Sequence, residues 1–441
     1  MPYMFSVVTR LRDRIQTLSR SRFVRNVAAV AMGTAAAQAI SLAFMPFLTR
    51  MYGPEAFGAL AAFTAMVTII TPLSTLGYAN AIVMPDTEEG ATAVARLSLV
   101  CAALVAPLAL VFVFFFQTQL AVWTGLEATP EFLYLIPASL LLGALLSVAN
   151  QTAIREGLFK AKAGSYVAST LVMNIGKLAG GLLGPSGLVL IVISIVGRAL
   201  NYSMLLARVP RRGAFQVRRW LGTGGIRAAA REQRDFALYR MPQTVINAAS
   251  FGLPVILLTT LFGPSTAGQY AISTMILGAP IMLLGQSVSE VFFPRVTETI
   301  RNDHSAAAPL LKRASVVMTL LAIVPFGVIA ILGDVIVPLV LGSEWERAGE
   351  FAQWIAVWMA SALATRPAVA AMAVLRMQGV LLSYEVFITT ARVAALYFGA
   401  TVGNDLTAVA AFSLVNVVGY LSLLALVLGR AAAVSQGKYH V

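Results

Sequence analysis

Twelve apolar runs, each near the length needed to cross a bilayer, recur along this 441-residue chain and leave it few ways to fold. They cover roughly 27–48, 57–76, 94–116, 132–153, 165–183, 187–207, 241–262, 267–290, 314–340, 351–374, 381–402 and 406–429. A helix of about 20 apolar residues spans the hydrocarbon core of a membrane. No water reaches that core, so each segment must satisfy its own backbone amides, and α-helices are expected. Hydrophobic residues make up 59% of the chain and charged residues 12%, which excludes two or three soluble domains of the same total length. Cys101, the single cysteine, lies in an apolar run and has no partner for an internal disulfide.

The formal net charge of +13 would point to nucleic acid in a soluble protein; here its placement gives a topology and implies no nucleic-acid partner. Of 32 lysines and arginines, 26 fall in segments that share one side of the membrane with the N-terminus. These include Arg10 to Arg25, Arg96, Arg155, Lys160, Lys162, nine arginines between Arg208 and Arg240, Arg376 and Arg430. Only Arg50 and Arg347 fall on the other side. Basic loops stay cytoplasmic, so both termini are expected inside. The resulting organisation is a basic interfacial segment at 1–26, six helices in 27–207, an arginine-rich cytoplasmic linker at 208–240, six more helices in 241–429 and a cytoplasmic tail at 430–441. Val8, Leu11, Ile15 and Leu18 recur at helical spacing between arginines, as in a helix lying on anionic lipid.

The two halves are related. Tyr52-Gly53-Pro54-Glu55-Ala56-Phe57-Gly58 returns 210 residues later as Phe262-Gly263-Pro264-Ser265-Thr266-Ala267-Gly268. An apolar run precedes and follows each copy; the following runs end in Asn80 with Met84-Pro85 and in Glu290 with Phe293-Pro294. Six crossings per half is an even number, so the repeat is parallel, a plan used by transporters that place their site between halves. Both copies are expected as corners on the outer side.

Four basic residues remain inside runs: Lys177, Arg198, Arg366 and Arg392. Each costs about 2.5–3.5 kcal/mol at a helix centre on insertion scales, so such residues mark polar interiors. Their neighbours form polar stripes: Thr170, Asn174 and Lys177; Ser194, Arg198 and Asn201; Glu385, Thr389 and Arg392. Other stripes carry Thr34, Gln38 and Ser41; Thr64, Thr68, Thr71 and Thr75; Gln243, Asn247 and Ser250; and Ser413, Asn416 and Tyr420. Together they predict a water-filled, anion-attracting cavity. Pro46, Pro72, Pro107, Pro137, Pro254, Pro280, Pro325 and Pro367 are candidate kinks. No phosphate-binding loop or metal-ligand spacing is present, so no cofactor, metal or catalytic chemistry is expected.

The segment Phe47-Leu48-Thr49-Arg50-Met51-Tyr52-Gly53-Pro54-Glu55-Ala56-Phe57-Gly58, followed by Ala81-Ile82-Val83-Met84-Pro85, resembles the N-terminal signature of Wzx-like polysaccharide-biosynthesis flippases. Their superfamily also contains the MATE exporters. The resemblance implies an all-α polytopic fold of two six-helix lobes that alternate between inward- and outward-open states in a bacterial inner membrane. It implies membrane lipid as surroundings and a polyprenyl-diphosphate-linked oligosaccharide as cargo, for O-antigen, capsule or exopolysaccharide. Polysaccharide polymerase and chain-length machinery would be partners. The expected clamp for the diphosphate is Arg366 and Arg392, supported by Lys177 and Arg198, with Asn174, Thr389, Gln38 and Asn247 along the glycan path. A cation-coupled MATE-type exporter is the alternative, weakened by the absence of acids from runs one and seven. A polymerase, ligase or assembly scaffold is the alternative from another class.

Overall fold

The computed structural model describes residues 22–209, 217–281, 306–372, 374–375 and 377–435. Most of the basic N-terminal segment, together with Glu290, Phe293-Pro294 and Arg376, lies outside those residues. Among the described residues the regular elements are all helical. Its long helices are α1 (Arg22–Ser74), α2 (Glu88–Thr124), α3 (Leu135–Arg155), α4 (Phe159–Leu183), α5 (Gly187–Arg208), α6 (Met241–Phe262), α7 (264–281), α8 (Ala307–Leu341), α9 (Glu346–Met372), α10 (Gln378–Val402) and α11 (Asp405–Ser435).

Among the described residues, ten helices are long and apolar enough to cross a membrane. Twelve were expected, and the difference has two sources. α1 joins the first two expected runs across a single residue, Gly53, rather than a loop. The expected eighth run begins in α7 and continues past residue 281 into undescribed chain. Large side chains such as Phe115, Ile331 and Phe387, each more than 70% exposed, face outward, as they do when lipid is the solvent. Pro137 sits in the first turn of α3 and interrupts nothing, whereas Pro46, Pro72, Pro107, Pro254, Pro325 and Pro367 lie inside helices.

The repeated turns have the same backbone. Gly53 has φ 69° and ψ 171°, and Gly263 has φ 88° and ψ 168°. Side chains with a Cβ rarely adopt this region, which explains glycine at both sites. Pro54 and Pro264 then open the next helix, where a missing N–H is harmless and φ is already suitable.

The two copies also grip one another. A Cβ on Gly58 would lie 1.7 Å from the Pro264 carbonyl oxygen, and one on Gly268 would lie 1.9 Å from the Pro54 carbonyl oxygen. Each copy's last glycine thus seats the other copy's proline peptide, a reciprocal contact that only two hydrogen side chains permit. Other turns gather on it. A Cβ on Gly125 would lie 2.8 Å from Pro264 Cβ, so the α2–α3 turn joins the contact. Thr49 Oγ1 donates to Leu341 O (3.1 Å), and Trp345 Nε1 donates to Thr49 O (3.2 Å). Gln269 bridges Glu344 O and the Ala348 amide, at 2.7 and 2.9 Å. Phe57 meets Trp345 edge to face, inside the largest apolar cluster.

At the opposite, arginine-rich end, Arg155 donates to the carbonyls of Ile82, Pro85 and Thr87, and Gln151 donates to Asn80 Oδ1 (3.0 Å). Arg96 reaches Arg219 O and Gly224 O, tying α2 to the linker. These basic residues hold turns closed.

Gly58→Ala and Gly268→Ala should each lower the thermal unfolding midpoint, because overpacking against backbone costs about 1–3 kcal/mol. Gly327→Ala, in α8 with no atom near its would-be Cβ, should leave the midpoint unchanged or slightly raised when all three are compared by fluorescence-detected melting.

Candidate functional site

Helices from both halves enclose a cavity of about 890 Å³. The second arm of α1 forms its long wall: Phe57, Leu60, Ala61, Thr64, Ala65, Thr68, Thr71 and Pro72 all line it. At 1.5 Å per residue, Phe57 to Pro72 spans about 22 Å. The cavity therefore starts beneath the Gly-Pro contact and runs toward the arginine-rich end. α3 contributes Ser147, α4 contributes Asn174 and Lys177, and α5 contributes Arg198. Across from them stand Thr244, Asn247 and Phe251 of α6, with Ile272 and Met275 of α7.

The charge of this space is one-sided. Lys177 and Arg198 line it, and among the described residues no lining residue is acidic. Neither cationic side chain makes a hydrogen bond or ion pair among the described residues. α4 runs from the arginine-rich end, so Lys177 lies toward the sealed end; its carbonyl accepts the Tyr52 hydroxyl at 2.5 Å. Arg198 sits near the middle of α5. Buried Asn174 donates its amide to Thr170 O (2.9 Å), which leaves its side-chain oxygen as an acceptor for a ligand. Thr64, Thr68 and Thr71 recur at helical spacing and present hydroxyls along one wall.

Arg366 and Arg392 are elsewhere. They line two adjoining cavities of about 280 and 370 Å³, shared among α6, α7, α9, α10 and α11. Arg392 is buried; its Nη1 donates to Ser250 Oγ at 2.6 Å, and its guanidinium carbon lies 5.7 Å from the Tyr420 ring centre. Thr389 Oγ1 donates to the same Ser250 oxygen at 3.1 Å. Glu385 lines the larger of these two cavities but forms no ion pair with either arginine. Asn247 and Phe251 border both the large cavity and this second pair, so α6 is the partition.

The sequence-predicted residues therefore divide. Lys177, Arg198, Asn174 and Asn247 come together; Arg366 and Arg392 come together separately, with Thr389 behind them on Ser250. Gln38 lines none of these cavities. The single four-cation cluster expected from sequence is two pairs, because α4 and α5 face one space while α9 and α10 face another. Sequence reasoning passed over Ser147 and Tyr384. Tyr384 was detectable: Leu381, Tyr384, Ile388 and Arg392 fall on one helical face.

Comparisons with known proteins agree with a transporter architecture. The sequence profile of a family described as "Polysaccharide biosynthesis protein" matches residues 47–350. The succinoglycan biosynthesis transport protein ExoT of Rhizobium meliloti (strain 1021) is 26% identical over 340 residues, 75% of this chain. The match spans 65% of that relative's own length. Among solved structures, a multidrug resistance MATE family transporter of the MOP superfamily, inward-facing, superposes with TM-score 0.72 at 13% identity, over 93% of this chain and 96% of that one. The lipid II flippase MurJ, inward closed, gives 0.72 at 12% identity, over 92% and 90%. A MOP superfamily transporter from Pyrococcus furiosus Vc1, reported with a binding pocket of reversed polarity, gives 0.63 at 14% identity, over 93% and 96%. At these identities the structural likeness shows a MATE-like fold.

Arg198 and Arg155 should respond oppositely to loss of charge. Arg155→Met removes donors from three carbonyls and should lower the melting midpoint, since hydrogen bonds to charged groups contribute about 1.5–3 kcal/mol each. Arg198→Met removes a cation with no protein partner among the described residues and should leave the midpoint unchanged or higher in the same melting assay.

Proposed function

The chain belongs to the polysaccharide biosynthesis protein family, and on that premise we propose that it is a flippase for a polyprenyl-diphosphate-linked oligosaccharide. One observation carries this reading: among the described residues, the large cavity between the halves is lined by two cations without a partner and by no acid. An anion crossing a low-dielectric region must have its charge met on the way, and cations fixed in the path do that without reorganisation. Lys177 and Arg198 meet the diphosphate, Arg198 with a fork suited to phosphate oxygens. The threonine wall of α1, Asn174 and Asn247 replace water around the first sugars. The prenyl chain stays in lipid beside the cavity.

In this reading twelve helices form two six-helix lobes in a bacterial inner membrane, with both termini and the arginine-rich end in the cytoplasm. The structure then corresponds to an inward-open state, closed outside by the reciprocal Gly-Pro contact. Switching outward requires that contact to part. It is suited to reversal, since it rests on packing of small backbone surfaces and a few hydrogen bonds rather than a buried ion pair. Prolines inside α1, α2, α6, α8 and α9 supply places where helices bend. Glycan-polymerising and chain-length machinery on the outer face would receive the product. An exporter of cationic drugs would need acids where this cavity presents Lys177 and Arg198, so that reading has no support in the site.

Deleting the gene in its host should trap lipid-linked oligosaccharide on the cytoplasmic leaflet and remove surface polysaccharide. Altered drug sensitivity with polysaccharide intact would overturn the proposal. Lys177→Gln and Arg198→Gln should each reduce complementation about 30-fold or more, the effect of unpairing a desolvated charge worth at least ~2 kcal/mol, at normal protein levels.

A further inference from the structure

The second pair of cavities has the makings of a binding site that a diphosphate does not explain. Among the described residues, six buried side-chain nitrogen or oxygen atoms lack a hydrogen-bond partner. Three of them belong to residues lining this one place: Arg392 Nε, Trp358 Nε1 and Tyr384 Oη. Arg392 is 8% exposed and Trp358 is 6% exposed, so neither donor is left to bulk water. Unpartnered buried polar groups are rare and costly, and three at one place are explained by a ligand that completes them.

The unmet groups define that ligand. Arg392 Nε and Trp358 Nε1 can only donate and Tyr384 Oη can donate, so acceptor oxygens complete all three. Among the described residues Arg366 and Arg392 outweigh Glu385, the one acid lining these cavities, so the ligand is an anion. A planar guanidinium with Nη1 already on Ser250 and Nε free favours a carboxylate. The walls are aromatic: Trp358 stacks on Tyr420 at 6.2 Å with planes 5° apart, and Phe412 meets Trp358 edge-on. Such faces receive the C–H side of a pyranose ring while its hydroxyls turn to the donors. Volumes of about 280 and 370 Å³ suit one or two sugar rings, not a long glycan.

We propose that this cavity is a specificity subsite for a carboxylate-bearing sugar residue of the transported saccharide. The inference rests on the flippase reading above but uses different residues. It makes selection of cargo a second event, separated from diphosphate capture by the α6 partition at Asn247 and Phe251.

The test uses the purified full-length protein in lipid nanodiscs, with tryptophan fluorescence read while glucuronate, glucose, acetate or inorganic pyrophosphate is added. Glucuronate should give a saturable change, about tenfold tighter than glucose or acetate (~1.4 kcal/mol). Trp358→Phe should abolish the signal. Arg392→Gln should weaken glucuronate about tenfold; Tyr384→Phe, which removes one oxygen and little packing, should weaken it several-fold. Equal binding of glucose overturns the charge requirement, and equal binding of acetate overturns the sugar requirement. Glucuronate binding unchanged in both variants overturns the site. Pyrophosphate, sensitive to Arg198→Gln and not to Arg392→Gln, reports the other cavity. If pyrophosphate behaves so and glucuronate does not bind, the subsite falls and the flippase reading stands. If glucuronate binds as described and pyrophosphate does not, the diphosphate role of Lys177 and Arg198 falls.

Discussion

Everything at one end of this molecule depends on how closely two backbones approach. The Pro54 and Pro264 carbonyls occupy the space where side chains of Gly268 and Gly58 would stand. That approach brings the second arm of α1 against α7 and creates the roof of the large cavity. Around it the α2–α3 turn, the α8–α9 turn and the start of α7 assemble through Gly125, Thr49, Trp345 and Gln269. Because each half supplies the same motif, the contact is nearly self-complementary. The parts that close one end of the cavity are thus the parts the chain repeats.

Charge divides the molecule by role. Arg155 and Arg96 spend their donors on backbone carbonyls, and Arg347 pairs with Asp405 and Glu350. Those arginines hold turns. Lys177 and Arg198 have no such partners among the described residues, and Arg392 has one hydroxyl and one aromatic face. A cation kept in a membrane without an acid beside it destabilises the protein, so its presence in a cavity is explained by what the cavity receives. Two separated cationic cavities give the flippase reading two recognition events: a diphosphate common to lipid carriers and a sugar particular to one saccharide.

Much of this was legible in the residues. Run length and hydropathy identified the helices, since a bilayer imposes that length on any crossing segment. The doubled turn was visible as a repeat, and the polar stripes contain Thr64, Thr68, Asn174, Asn247 and Ser250, which line the cavities. The stripe through Gln38 was equally regular, yet Gln38 lines no described cavity. A period of 3.6 tells which residues share a face, and says nothing about what that face meets. Gly53 read as a corner between two runs, and the structure has that corner compressed into one non-helical residue between two helical arms.

By itself, the sequence determined an all-helical membrane chain with a doubled Gly-Pro turn, because apolar runs of about 20 residues cross hydrocarbon as helices and glycine is the residue that readily accepts φ 69° with ψ 171°. It also determined which side chains would be expensive to bury. Only the tertiary structure decided that the two turns lock onto each other, and that four intramembrane cations form two pairs rather than one. Those outcomes depend on how helices distant in sequence are rotated and packed. That rotation is set jointly by every face in contact, so no single run of residues contains it.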